Sequence, residues 1–137
     1  MEKAEICKFI SKRKTAFLAS VDERGYPVVR AMLAPRRIEQ NTLWFTTNTS
    51  SNKVRQFTAN GKACVYFYRR GLFRYRGVCL TGTVEVCTDP PTKQAVWRPG
   101  DRMFYKHGVT DPDYCVLKLT CTAAECYCDL KIETISF

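Results

Sequence analysis

The chain has one histidine, His107, in 137 residues. It offers no Ser/His/Asp set and no evident pair of catalytic carboxylates, so acid–base or nucleophilic catalysis by protein groups has little to work with. We expect no essential protein acid or base. Neither a Walker loop nor GxGxxG occurs, which excludes the common nucleotide cradles. No apolar run approaches the ~20 residues that span a bilayer. Met1-Glu2-Lys3-Ala4-Glu5 opens without an apolar signal-peptide core. A cytoplasmic protein with no membrane partner is the expectation. Acidic residues are sparse, 13 Asp and Glu against 22 Lys and Arg, leaving a net charge of +9. Such an excess suits nucleic acid, anionic lipid or an anionic small molecule. Repeats, linkers and low-complexity stretches are missing, so residues 1–137 read as a single domain.

The positive charge is clustered. Lys8, Lys12, Arg13 and Lys14 end the first helix, where cations suit the helix dipole. Arg36 and Arg37 form a second cluster. Arg69, Arg70, Arg74 and Arg76 form a third, interleaved with Phe73 and Tyr75. Eight cysteines are present. Most replace apolar residues within strand patterns, which fits reduced thiols packed as small hydrophobes in a reducing cytoplasm. Cys121, Cys126 and Cys128 are close in sequence but lack the CxxC knuckle of structural zinc sites, and no metal is expected.

Periodicity predicts the elements. Ile6, Phe9 and Ile10 make one apolar stripe on a helix over Glu2–Lys14. Thr15–Val21 reads as a strand buried on both faces or nearly so. Asp22–Pro27 is a turn, and Val28–Leu33 completes a hairpin. Thr42–Phe45 is the third strand. Thr49 or Ser50 caps a short helix running to about Asn60, with Val54 and Phe57 inward and Asn60-Gly61 ending it. Ala63–Tyr68 is a fourth strand, and Arg69–Arg76 is a loop or strand extension. Gly77–Cys87 is a long strand, with Gly82 a bulge or close-approach point. Asp89-Pro90-Pro91 starts a helix carrying Ala95, Val96 and Trp97, stopped by Pro99-Gly100. Asp101 caps another short helix through Tyr105. After a turn at Gly108–Asp113, strands follow at Tyr114–Cys121 and Ala124–Leu130, and Ile132–Phe137 extends the sheet. Short antiparallel strands with helical inserts indicate a closed or half-closed β-barrel.

The richest local pattern is Arg30-Ala31-Met32-Leu33 on one strand, then Phe45-Thr46-Thr47-Asn48-Thr49-Ser50-Ser51-Asn52-Lys53 leading into a helix. Hydroxyls, backbone N–H groups, the Lys53 charge and the helix N-terminus together make a phosphate trap. Arg30 on an otherwise apolar strand needs a partner, and a phosphate is a good one. Met32 and Trp97 also fit as packing residues, and Lys53 as an exposed cation.

Taken with Leu80-Thr81-Gly82-Thr83-Val84-Glu85-Val86 and Asp111-Pro112-Asp113-Tyr114-Cys115-Val116-Leu117, these motifs in this order resemble the FMN-binding split barrels of the pyridoxamine-5′-phosphate-oxidase-like superfamily, in its small general-stress-protein-like branch. The resemblance implies a mainly β fold, a six- to seven-stranded antiparallel split β-barrel with two to four short helices. It implies FMN, a homodimer with flavin sites at the interface, and a flavin-dependent oxidoreductase acting on a small molecule or electron donor. Carried over by position, Arg30 would reach the phosphate or the flavin edge. Ala31 and Met32 would lie beside the ring, and Thr46 and Thr47 would meet the ribityl chain or ring. Ser51, Asn52 and Lys53 would hold the phosphate. Trp97 and Tyr105 are candidates for contacts across the interface.

The chain departs from the oxidases in three places. Lys131–Phe137 has no arginine, which points away from true pyridoxamine-phosphate oxidation. Cys128 stands where related small proteins carry Trp, and Asn52 where the oxidases carry Arg. The alternatives are a non-catalytic flavin-binding or storage protein, a barrel using F420 or haem (with His107 as ligand), and a single-stranded nucleic-acid binder using Arg69–Arg76.

Overall fold

The computed structural model describes residues 1–137. Eight strands form one antiparallel sheet: β1 (Thr15–Val21), β2 (Pro27–Leu33), β3 (Arg37–Glu39), β4 (Thr42–Asn48), β5 (Lys62–Arg70), β6 (Tyr75–Cys87), β7 (Tyr114–Cys128) and β8 (Lys131–Ser136). Three helices join them: α1 (Lys3–Ser11), α2 (Asn52–Ala59) and α3 (Pro90–Val96), with 3₁₀ turns at Pro99–Met103 and Gly108–Thr110. The hydrogen-bonded order is β2-β1-β5-β6-β7-β4-β3, with β8 on the free half of the β7 edge. The fold is mainly β, as expected, with one more strand than the six or seven anticipated.

β7 is what curls the sheet. Its first half pairs with β4, from Asn48↔Tyr114 to Thr42↔Thr120. Its second half pairs with β8, and β6 runs along its whole other edge. Yet β2, at one end, never meets β4 and β3 at the other, so the barrel stays split.

The inward positions alternate as the pleat requires. Ala16 and Leu18 on β1, Leu43 and Phe45 on β4, Val65 and Phe67 on β5, Val78 and Leu80 on β6, and Leu117 and Leu119 on β7 share one core. Ile6, Phe9 and Ile10 of α1 and Val54 and Phe57 of α2 join it. A smaller core of Cys87, Val96, Tyr114 and Val116 lies under α3, with Trp97 and Tyr105 packed against it.

Several expectations need correction. β1 is buried on its inner face alone; Phe17, Ala19 and Val21 are half-exposed because nothing covers the outer face. The two strands expected at Tyr114–Cys121 and Ala124–Leu130 are one strand. The polar step between them is a bulge, where the pairing shifts at Thr81/Gly82. That strand stops at Cys128, because Asp129 and Leu130 both take positive φ, 51 and 66, and form a two-residue hairpin turn. α1 stops at Ser11, short of Lys14, and is closed at its start by the Glu2 amide donating to Glu5 Oε2 at 2.8 Å. The cap of α2 is Ser51, neither Thr49 nor Ser50. Arg69–Arg76 is a strand extension, paired through Arg70↔Tyr75, with the turn at 71–74. Asp101 sits third in the Pro99–Met103 turn and does not cap a helix through Tyr105. Asp89 does cap α3, accepting from the Thr92 amide at 3.1 Å.

Gly82 fills the close-approach role expected of it. A Cβ there would lie 2.0 Å from the Thr120 carbonyl oxygen and 2.8 Å from Cys121 Cα, both backbone atoms of the neighbouring strand. Gly82→Ala is therefore expected to destabilise by about 3 kcal/mol, a Tm drop on the order of 10 °C. Gly100→Ala, whose Cβ would have nothing within 4 Å, should leave the melt unchanged. Thermal denaturation of the two variants beside the parent is the check.

Candidate functional site

The split produces a cleft of about 450 Å³. One wall is Ala31, Met32 and Leu33 of β2, and the facing wall is Thr46, Thr47 and Asn48 of β4. Arg36, Asp101, Phe104, Tyr105 and Asp113 complete it. The first cleft wall exists because β2 is an edge strand. Its alternation puts Val28, Arg30 and Met32 half-inside and leaves Val29, Ala31 and Leu33 exposed.

Beside the cleft, Arg30 and α2 build a positively charged corner. The Arg30 guanidinium donates from Nη1 to Ser20 Oγ at 2.8 Å and to the Leu18 carbonyl at 3.3 Å, and from Nη2 to Gln56 Oε1 at 3.0 Å. All three acceptors are neutral. Lys53, in the first turn of α2, donates from Nζ to Thr47 Oγ1 at 3.0 Å. Neither cation has a carboxylate within ion-pair distance. Burial, and then the field of Arg30, pushes the Lys53 pKa below that of an ordinary lysine.

The hydroxyls nearby are also unfulfilled. Ser51 Oγ and Thr49 Oγ1 are buried without a hydrogen-bond partner. Only the sulfur of Cys115, a weak acceptor, lies close to the Thr49 hydroxyl. Ser51 takes the extended backbone of an N-cap, yet its side chain caps nothing. Buried polar atoms left without partners are uncommon and call for an explanation. The loop is held from the start of β7, the strand paired with β4. The Ser50 amide donates to Asp113 Oδ1 at 2.9 Å, and the Thr49 amide to the Asp113 carbonyl at 2.7 Å. The geometry is therefore two uncompensated cations, two idle hydroxyls and the unpaired first amides of a helix, fixed by a strand end.

The sequence-predicted residues divide into three groups. Ala31, Met32, Thr46, Thr47 and Tyr105 line the cleft. Arg30, Ser51 and Lys53 gather at the charged corner, and Asn52 is exposed at the first position of α2. Trp97 does not line the cleft. It packs on Tyr114 at 5.0 Å between ring centroids and on Tyr105 at 6.3 Å, closing the small core. Burial pushes the Tyr105 hydroxyl up to about 12. His107 is exposed on the turn and does not line the cleft.

Sequence reasoning missed the polar residues that support this arrangement. Ser20 and Gln56 hold Arg30, and Asp113 holds the loop. Arg36 and Asp101 form an ion pair at the cleft with side chains 11% and 6% exposed, joined by hydrogen bonds of 2.8 and 2.5 Å. The Pro99-Gly100-Asp101 stop was visible in the sequence, but its partner 65 residues away was not.

Comparison with known proteins agrees with the fold. The family model described as pyridoxamine 5'-phosphate oxidase matches residues 3–128. The chain belongs to the pyridoxamine 5'-phosphate oxidase family. A pyridoxine/pyridoxamine 5'-phosphate oxidase of Shewanella woodyi is 33% identical over 100 residues, covering 72% of this chain and 46% of that protein. The chain thus spans less than half the length of that curated family member. The crystal structure of a Clostridium acetobutylicum protein related to general stress protein 26 superposes with a TM-score of 0.85 at 28% identity, covering 100% of this chain and 97% of the other. A haem-binding protein of Mycobacterium smegmatis shares the fold at 12% identity, TM-score 0.76, covering 99% and 58%.

The Arg36–Asp101 pair ties the segment after α3 to the chain between β2 and β3. Removing one partner leaves the other buried and unpaired, so Asp101→Asn is expected to cost about 3 kcal/mol. The Arg36 hydrogen bond holds the Asp101 carboxyl below the ordinary Asp value of 3.8. A depressed folded-state pKa contributes stability that is complete above the unfolded value and is lost as pH falls through the folded one. Urea midpoints across the acid range should fall less steeply for Asp101→Asn than for the parent. Parallel curves would remove this ion pair from the acid limb.

Proposed function

We propose that this chain binds FMN in the cleft between β2 and β4 and works as a flavin-dependent oxidoreductase on a small molecule, as a homodimer with the flavin at the interface. The observation that carries the reading is the charged corner: Arg30 and Lys53 without a carboxylate, and Thr49 and Ser51 hydroxyls without a partner, at the start of α2. A dianionic phosphate monoester satisfies all of these at once through charge-assisted hydrogen bonds. The residues present therefore fit the group.

Bound flavin would supply the hydride or electron chemistry, and the protein would supply position and field. Lys53 and Ser51 would hold the phosphate, with Arg30 reaching it from the Ser20–Gln56 platform. Thr46 and Thr47 offer hydroxyls to a polyol chain running along β4. Ala31 and Met32 give a flat, uncharged wall for a ring. Tyr105 would donate a hydrogen bond from the opposite side. Asn52 is the position with least to offer, being exposed.

The dimer is supported by the uncovered outer face of the sheet. Val29 and Leu33 of β2 are 66% and 69% exposed, and Phe17, Tyr66 and Tyr68 continue the same face across β1 and β5. An exposed edge strand beside such a face is a surface that folded proteins cover. A second copy would cover both and bring its own side chains to the open side of the cleft.

Titration of the purified protein with FMN and with riboflavin tests the phosphate part directly. FMN should bind roughly 100-fold more tightly, the worth of two charge-assisted contacts. Arg30→Ala with Lys53→Ala should abolish that preference and leave riboflavin binding unchanged. Equal affinities in the parent, or retention of haem or F420 in place of FMN, would overturn the cofactor assignment. Oxidation of NADH or NADPH by the loaded protein separates an enzyme from a flavin store, and pyridoxamine 5'-phosphate belongs among the substrates assayed. Val29→Asp, on the uncovered face, should shift the protein from dimer to monomer in sedimentation and lower its FMN retention in parallel.

A further inference from the structure

We infer that the β5–β6 hairpin is a docking tip for an anionic phospholipid surface. It projects beyond Tyr68, at the edge of the outer face assigned to the dimer. The ladder of β5 and β6 ends at Arg70↔Tyr75, and the chain turns over 71–74, closed by the Gly71 amide donating to the Arg74 carbonyl at 2.7 Å. At the apex, Leu72 and Phe73 are 90% and 94% exposed, the most exposed large apolar side chains in the protein. Below them Arg69, Arg70, Arg74 and Arg76 are all exposed, and none takes part in an ion pair. Asp129 lines the same small cavity as Arg69, Arg74 and Arg76 but makes no ion pair with them. Arg76 leans back on the barrel, donating to Cys128 Sγ at 3.6 Å.

An apolar apex with a collar of unpaired arginines is a match for a bilayer interface. The two apolar side chains enter the acyl boundary while the guanidinium groups meet lipid phosphates at headgroup level. Tyr75, just below, is placed where an amphipathic ring favours the interface. Docking of this kind needs no membrane-spanning segment, so the lack of a long apolar run does not bear on it.

Single-stranded nucleic acid is the other polyanion, and the geometry disfavours it. Base stacking needs free aromatic faces. Tyr66, Tyr68 and Tyr75 already stack on one another, with centroids 6.4 and 6.1 Å apart and planes within 14° and 21°. At the apex Phe73 is the one free aromatic face, since Leu72 offers none. The charge forms a collar around an apex, with no groove along which a strand could run.

The test is co-sedimentation of the full chain with vesicles of phosphatidylcholine alone and of phosphatidylcholine with phosphatidylserine. Binding to the phosphatidylserine vesicles should be at least tenfold stronger and fall with added salt. Leu72→Ser with Phe73→Ser should lose about tenfold, as should Arg69→Gln with Arg74→Gln. All four residues are exposed, so the fold and the FMN titration should be unaffected. Emission of Phe73→Trp should shift to the blue on the phosphatidylserine vesicles. The inference fails if the tip variants bind like the parent, or if Phe73→Trp emission does not move. It also fails if oligodeoxythymidylate outcompetes the vesicles, or if the tip variants turn a dimer into a monomer, which would assign the tip to a second copy. None of these outcomes bears on the preference for FMN over riboflavin.

Discussion

The sheet curls far enough to enclose a core, and its two ends do not join. β7 allows both. Its fifteen residues hold β4 on one half of an edge and β8 on the other, with β6 along the opposite side, so the ladder bends round without closing. The cleft is the space where the missing β2–β4 pairing would have been. Closing the sheet would have satisfied the β2 edge and removed the site. What remains is an edge strand presenting Ala31 and Met32 to Thr46 and Thr47 across a gap.

Charge is unbalanced where the gap meets α2. Asp101 neutralises Arg36 at one side of the cleft, whereas Arg30 and Lys53 at the other are held only by neutral atoms. Burying like charges together without a counter-charge costs free energy that folding gains nothing by. The proposed flavin phosphate would supply the missing counter-charge and engage the two idle hydroxyls. The loop cannot relax around them, because Asp113 pins Thr49 and Ser50 to the start of β7.

The same arginine chemistry has a different meaning at the β5–β6 tip. There the guanidinium groups are exposed and the cost of leaving them unpaired is small. Their grouping around Leu72 and Phe73 is therefore the informative feature, whereas at Arg30 it is the burial. The smaller core under α3 adjoins the cleft: Trp97, Tyr105 and Tyr114 pack there, and Tyr105 also faces the cleft.

Alternation, breakers and caps in the sequence determined most of the strands, the Asp89 cap of α3, the close approach at Gly82 and the loop of hydroxyls before Lys53. These are properties of neighbours along the chain, and period-2 patterning or a Pro-Pro pair reports them directly. Tertiary structure alone decided which of those residues face a common space. The step between Cys121 and Ala124 looked like a break between two strands and became a bulge, because β6 pairs on both sides of it. Asp129-Leu130 looked like strand and became a turn, with no glycine to announce it. Trp97, a candidate for contacts across an interface, packs within the chain on Tyr105 and Tyr114. Ser20, Gln56 and Asp113 gave no local signal, and nothing local paired Arg36 with Asp101, since each acts on a residue at least 26 positions away or through a strand pairing that only the folded sheet creates.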